Sequence, residues 1–207
     1  MRRYVIELIG TFFLVLVIGL TGNPLAIGSM LMVMVYMGGH ISGAHYNPAV
    51  TLAVLMRRKI DGREAGMYII FQVLGSILAA LVVNVVAGHT FAPAPGEGVS
   101  ALNALLVEII FTFALASVVL NVATTKASAG NSYFGLAIGF TVLAAAFAGG
   151  GISGGAYNPA VGLGPCLIDT LVGGHNSLAH VWIYLVGPLV GGGFAAMAFG
   201  LTNPGEP

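Results

Sequence analysis

The chain has 207 residues, of which 57% are hydrophobic and 7% charged, with a formal net charge of zero. A soluble domain carries about 25% charged residues, so a water-facing surface is excluded and the lipid bilayer is the solvent for most of the chain. The absence of a basic balance excludes nucleic acid as a partner. The single cysteine, Cys166, excludes an intramolecular disulfide framework and a multi-cysteine metal site. No metal and no cofactor are expected.

The N-terminal stretch, Met1 to Gly22, opens with Arg2 and Arg3, continues with an apolar run and ends in small residues. That is the outline of a signal peptide, but an internal repeat makes the segment the first helix of the fold. Six long apolar stretches follow one another over about 4–20, 25–41, 65–88, 101–122, 133–150 and 179–201. Several reach the ~20 residues that cross a ~30 Å hydrocarbon core. Two further apolar pieces, about 48–56 and 159–168, are too short: ten helical residues cover ~15 Å, half the core. Breaks fall at Thr21 to Pro24, Ala92 to Gly96 and Thr124 to Asn131. The 31 glycines fit close helix packing through small residues; Gly135 with Gly139 and Gly187 with Gly191 are four apart on one helix face, suited to packing within or between subunits.

The segment Gly39 to Val50 matches Gly150 to Val161, each containing Asn-Pro-Ala, at Asn47, Pro48, Ala49 and at Asn158, Pro159, Ala160. Glu7 in the first helix is echoed by Glu108 in the fourth, and Tyr68 to Gly75 by Tyr184 to Gly191. The chain therefore divides into repeats over 1–100 and 101–207, each with three crossings and one half-helix. An odd number of crossings per half makes this an inverted repeat. The fold class is all-α: six transmembrane helices with two re-entrant half-helices. The seven basic residues, Arg2, Arg3, Arg57, Arg58, Lys59, Arg63 and Lys126, all fall on one side of this map. The positive-inside rule then puts both termini in the cytoplasm of a multi-pass protein of the cell (inner) membrane.

Each Asn-Pro-Ala dictates a sharp helix start. Asn is a favoured N-cap, Pro at the first helical position lacks an N–H that would be orphaned anyway, and Pro excludes helix from the residue before it. The Gly-rich segments Gly43 to Tyr46 and Gly154 to Tyr157 are expected to be extended. Irregular backbone at membrane depth occurs where it lines a wet cavity, so the carbonyls of Gly43, Ala44, His45, Gly154 and Ala156 are expected to face a pore. Inversion brings the positive ends of both half-helices to the midplane, where the Asn amides offer N–H donors and cations are repelled. A permeant needs lone pairs and no positive charge: small uncharged solutes such as water, polyols, urea and neutral hydroxides.

On these residues the chain resembles the aquaporin and aquaglyceroporin family, the major intrinsic proteins, over essentially its whole length. The resemblance implies that Glu7 and Glu108 hold the backbone of the re-entrant loops, that Gln72 supports them, and that the assembly is a homotetramer with a pore in each subunit. The family nearly always has Arg directly after the second Asn-Pro-Ala; this chain has Val161. Counted from the motifs, the family's outer constriction falls here on Ile27, Ala146, Gly155 and Val161. An Arg supplies fixed charge and several donors, whereas this set predicts a wide apolar ring admitting solutes larger than water, such as glycerol, urea or neutral metalloid hydroxides including arsenite. Val in the Arg position also resembles a bacterial branch linked to arsenicals.

The remaining polar residues divide between structural and functional readings. His40 and His45 flank the first loop; His175 and His180 lie near the outer mouth; His89 marks a helix end. Cys166 is either a mercurial target or a buried, inert thiol. Arg57, Arg58 and Lys59 serve topology, with a gating or lipid contact as the alternative. The methionines of the second helix, Met30 to Met37, are adaptable packing. Two rival functions stand beside the wide channel: an ordinary water-selective aquaporin and a solute-coupled secondary transporter, which needs ion-coupling carboxylates. No nucleophile with its base is present, so the chain is not expected to be an enzyme.

Overall fold

The computed structural model describes residues 1–206; the last residue of the second repeat, Pro207, lies outside them. The described chain is helices and connecting loops: α1 (Arg2–Thr21), α2 (Pro24–Ser42), α3 (Pro48–Met56), α4 (Gly62–Ala87), α5 (Ala101–Ala123), α6 (Phe134–Ser153), α7 (Pro159–Leu171) and α8 (Val181–Thr202), with a 3-10 turn at Ser177–His180 leading into α8. Six are long and apolar enough to cross a membrane, and α3 and α7 are not. The chain is a multi-pass membrane protein with six spanning helices and two half-helices, as its sequence predicts.

Local chemistry fixes the helix ends. Asn23 caps α2, its Oδ1 accepting from the Leu25 and Ala26 N–H groups, with Pro24 in the first turn. Asp61 caps α4 and Ser100 caps α5 in the same way. Three boundaries lie three residues beyond expectation: α4 begins at Gly62 rather than 65, α6 ends at Ser153 rather than 150, and α7 is also longer. α7 runs to Leu171 rather than 168, so it has 13 residues against nine in α3. The extra turn is held by a polar cluster around Asp169, described below.

Packing inside the bundle depends on glycine at a few crossings. A Cβ on Gly75 would sit 2.4 Å from the Leu8 carbonyl oxygen, and one on Gly191 would sit 2.4 Å from that of Ile109. Thus α4 meets α1, and α8 meets α5, backbone to backbone at matching places in the two repeats. Gly28 and Gly139 face each other across α2 and α6, where Cβ atoms would lie 2.6 and 2.5 Å from the opposite carbonyl. The glycine pairs of α6 and α8 are thereby occupied within the chain. The outer surface carries large apolar side chains such as Val85, Ile110 and Phe147, as a lipid-facing surface requires.

Candidate functional site

At the centre of the bundle Asn47 and Asn158 cap α3 and α7. The Asn47 Oδ1 accepts from the Ala49 and Val50 N–H groups at 2.8 and 3.4 Å, and the Asn158 Oδ1 accepts from the Ala160 N–H at 2.9 Å. Each side-chain amide also reaches across the repeat. Asn47 Nδ2 donates to the Tyr157 carbonyl at 2.9 Å, and Asn158 Nδ2 to the Tyr46 carbonyl at 2.8 Å. An amide nitrogen carries two hydrogens, and among the described residues the second on each Asn has no acceptor. Two helix N-termini and two free amide donors therefore converge where Pro48 and Pro159 begin the half-helices.

The preceding loops are not extended throughout. Gly43, Ala44 and Tyr46 have φ of 88°, 53° and 51°, and Gly154, Gly155 and Tyr157 have 90°, 68° and 47°. These left-handed residues gather successive N–H groups onto one side, forming a concave nest for an anion. In the first loop Glu7 fills it, accepting from the His45 N–H (3.0 Å), the Tyr46 N–H (2.7 Å), the Ser42 hydroxyl (2.6 Å) and Gln72 Nε2 (2.8 Å). In the second Glu108 accepts from the Ala156 and Tyr157 N–H groups at 3.0 and 2.6 Å and from the Ser153 hydroxyl at 2.7 Å. Turning the N–H groups inward leaves the carbonyls of Gly43, Ala44, His45, Gly154, Gly155 and Ala156 without a donor among the described residues.

The tyrosines before each Asn-Pro lock the loops further. The Tyr46 hydroxyl donates to the Met34 carbonyl and that of Tyr157 to the Ala145 carbonyl, each at 2.9 Å. The Tyr68 and Tyr184 hydroxyls donate to the Ser42 and Ser153 carbonyls, each at 2.6 Å. The repeats then part company. His45 Nδ1 lies 3.1 Å from the Thr51 hydroxyl, which accepts from Gln72 Nε2 at 3.0 Å and donates to the Asn47 carbonyl. The second repeat has Ala156, Gly162 and Pro188 at the matching positions and carries no such network.

Cavities open on either side of the Asn pair. On the side of the α1–α2 turn lies one of about 310 Å³, lined by Ile27, Ala146, Gly155 and Val161 together with Gly150, Gly151, Gly154 and Ala156. The structure thus brings the four motif-counted positions together around one space. On the side of the N-terminus lies one of about 400 Å³, lined by Ser42, Gly43, His45, His40 and Tyr68 and rimmed by Arg3, Lys59 and Glu64. Arg3 and Glu64 form an ion pair of 2.6 Å at its edge.

Other candidates sit elsewhere. Cys166 is fully buried in α7, which selects the inert-thiol reading. His40, His89, His175 and His180 are exposed. Among the described residues no group of three or more His, Cys, Asp or Glu is placed to hold a metal. The sequence reading missed two polar centres. Arg57, at the end of α3, is buried over the Phe199 ring at 4.0 Å and donates to the Thr124 carbonyl at 3.0 Å. Asp169, at the far end of α7, accepts from the Thr90 and Ser177 hydroxyls and pairs with His175 Nδ1 at 2.9 Å. Burial opposes ionisation of Asp169, but those hydrogen bonds prevail and hold its carboxyl below the usual range. The one signal that could have exposed either centre is a charged residue next to an apolar half-helix.

The chain's likenesses to known proteins extend over this whole arrangement. The sequence profile of the family described as major intrinsic protein matches residues 18–199. The chain is 36% identical to "Aquaporin NIP1-1" of Zea mays, over 98% of this chain and 75% of that one. It is 38% identical to "Glycerol uptake facilitator protein-like 6" of Lactiplantibacillus plantarum, over 95% of each. Its fold superimposes on the aquaglyceroporin from Plasmodium falciparum with a TM-score of 0.86, covering 96% of this chain and 94% of that one at 23% sequence identity.

Proposed function

Since the chain belongs to the major intrinsic protein family, a family of channels rather than enzymes, we propose that it is a passive pore for water and small uncharged solutes with a wide apolar outer constriction. The constriction is the ring Ile27, Ala146, Gly155 and Val161, and the pore passes solutes of the size of glycerol, urea or a neutral metalloid hydroxide. The observation that carries this reading is the lining of the 310 Å³ cavity, which holds five glycines and two alanines beside Leu14, Ile18, Pro24, Ile27, Val142 and Val161 and no charged side chain. Such a wall offers permeants backbone carbonyls as its main polar groups and no fixed charge, which supports passage of solutes larger than water. The relative named a glycerol uptake facilitator supports the same direction.

In this reading Asn47 and Asn158 are the donors that greet a solute at mid-membrane. The unpaired loop carbonyls accept from its hydroxyls on the way in and out, and the half-helix dipoles with the Asn amides repel cations. Glu7 and Glu108 are engaged in holding the loops, which leaves neither free to couple an ion and argues against a secondary transporter. We place the N-terminal face in the cytoplasm of the cell membrane on its charge, and take the assembly as a homotetramer with one pore per subunit.

The test is a stopped-flow panel of water, glycerol, urea and arsenite on proteoliposomes. Glycerol and urea flux well above protein-free vesicles is expected. Val161→Arg should lower it about tenfold or more, the scale on which one misplaced polar group changes selectivity, while water permeation falls less. Water flux with no solute flux in the native chain would overturn the wide-ring reading in favour of a water-selective pore.

A further inference from the structure

At the end of α3 the chain turns through Arg57, Arg58 and Lys59. The Arg58 N–H bonds the Leu55 carbonyl at 2.8 Å and the Lys59 N–H bonds that of Val54 at 3.2 Å, the double bond pattern of a Schellman helix end. Its key residue takes a left-handed conformation, with φ of 58° at Arg58. Gly is the favoured residue there, and a side chain is strained. The chain therefore carries a cation at a position where backbone energetics favour none. Arg58 and Lys59 are exposed, whereas the Arg57 side chain is 4% exposed.

Arg57 is poorly neutralised. Arg57 Nη1 donates to the Glu206 backbone carbonyl at 3.5 Å, but the Glu206 carboxylate lies 3.7 Å from Arg57 Nη2 as a loose ion pair, and both the Arg57 Nε–H and Glu206 Oε2 are buried without a hydrogen bond. The other Glu206 oxygen accepts from the Lys126 N–H at 2.7 Å. Arg57, Arg58, Lys59 and Glu206 line a cleft of about 490 Å³ whose walls also include Met56 and Phe199. Its formal charge is +2, three cations against Glu206. The neighbouring lipid-facing surface of α8 is apolar, with Met197 and Leu201 exposed.

The geometry points to a binding site for a phosphate ester anion in this cleft, the headgroup of an anionic phospholipid whose chains lie along α8. Arg58 and Lys59 meet the phosphate, and buried Arg57 supplies a fixed positive floor. Basic pockets beside membrane helices hold anionic headgroups by this chemistry, each cation near the surface favouring the anion about fivefold. A free phosphate would satisfy the same groups without engaging α8.

Arg58→Gly removes the cation while giving the turn its favoured residue, so the fold is retained or strengthened. In nanodiscs of the full chain, spin-labelled phosphatidylglycerol should associate about twentyfold more strongly than labelled phosphatidylcholine, the product of about fivefold from each of Arg58 and Lys59. That preference should fall about fivefold in Arg58→Gly and further in Arg58→Gly with Lys59→Gln. Arg63→Gln, a cation outside the cleft, should leave it intact. Displacement of the labelled lipid by millimolar inorganic phosphate in the native chain but not in Arg58→Gly would assign the same site to free phosphate. The site is overturned if Arg58→Gly keeps the full preference, or if Arg63→Gln lowers it equally, since general surface charge then accounts for it.

Discussion

Glu7 accepts four hydrogen bonds and Glu108 three. A hydrogen bond to a charged group contributes about 1.5–3 kcal/mol, and a glutamine amide nitrogen cannot accept one. Glu7→Gln and Glu108→Gln should both lower the thermal midpoint in detergent, Glu7→Gln by more because it strands an additional donor, Gln72. Equal midpoints for the two variants would contradict the assigned asymmetry. Much of this centre is legible in the sequence, because Asn before Pro dictates a helix start regardless of what surrounds it. The left-handed residues Ala44, Tyr46 and Tyr157 are not legible, since local preference opposes φ near 50° in alanine and tyrosine. Only the carboxylate arriving from a distant helix makes that conformation favourable.

At the scale of elements, the glycines at the α1–α4 and α5–α8 crossings set how closely the helices approach. Gly75→Ala and Gly191→Ala should each cost about 1–3 kcal/mol, the range for overpacking. Gly66→Ala, on α4 with open space around it, should instead gain about 0.5–1 kcal/mol by helix propensity. Chemical denaturation in mixed micelles separates the two classes by sign. The close crossings were readable only as glycine spacing, since spacing does not say which helix lies opposite. The longer α7 was unreadable for a related reason: Thr90 lies 79 residues from Asp169 in sequence. The depressed acidity of Asp169 has a signed consequence. Its contribution is present above the ordinary carboxylate pKa of about 3.9 and is lost as pH falls through its lower folded value. Hydrogen exchange over residues 172–180 should therefore accelerate at strongly acid pH, and Asp169→Asn should show fast exchange already at neutral pH.

For the whole molecule, charge is partitioned as sharply as polarity. All seven basic residues lie on the face of the N-terminus, and the opposite face carries Glu97 and Asp169. A reporter that matures only in the cytoplasm should be active when fused at either terminus and silent when inserted between Gly96 and Gly98. The same map shows how the halves depend on one another. Asn47 finds its acceptor 110 residues later, at Tyr157, and Asn158 finds its own 112 residues earlier, at Tyr46. While the ribosome is still making the second repeat, the first has an Asn amide at mid-membrane with no carbonyl to receive it. Neither Asn is therefore seated by its own half: a chain truncated before Tyr157 lacks this pairing and should show no solute flux in proteoliposomes.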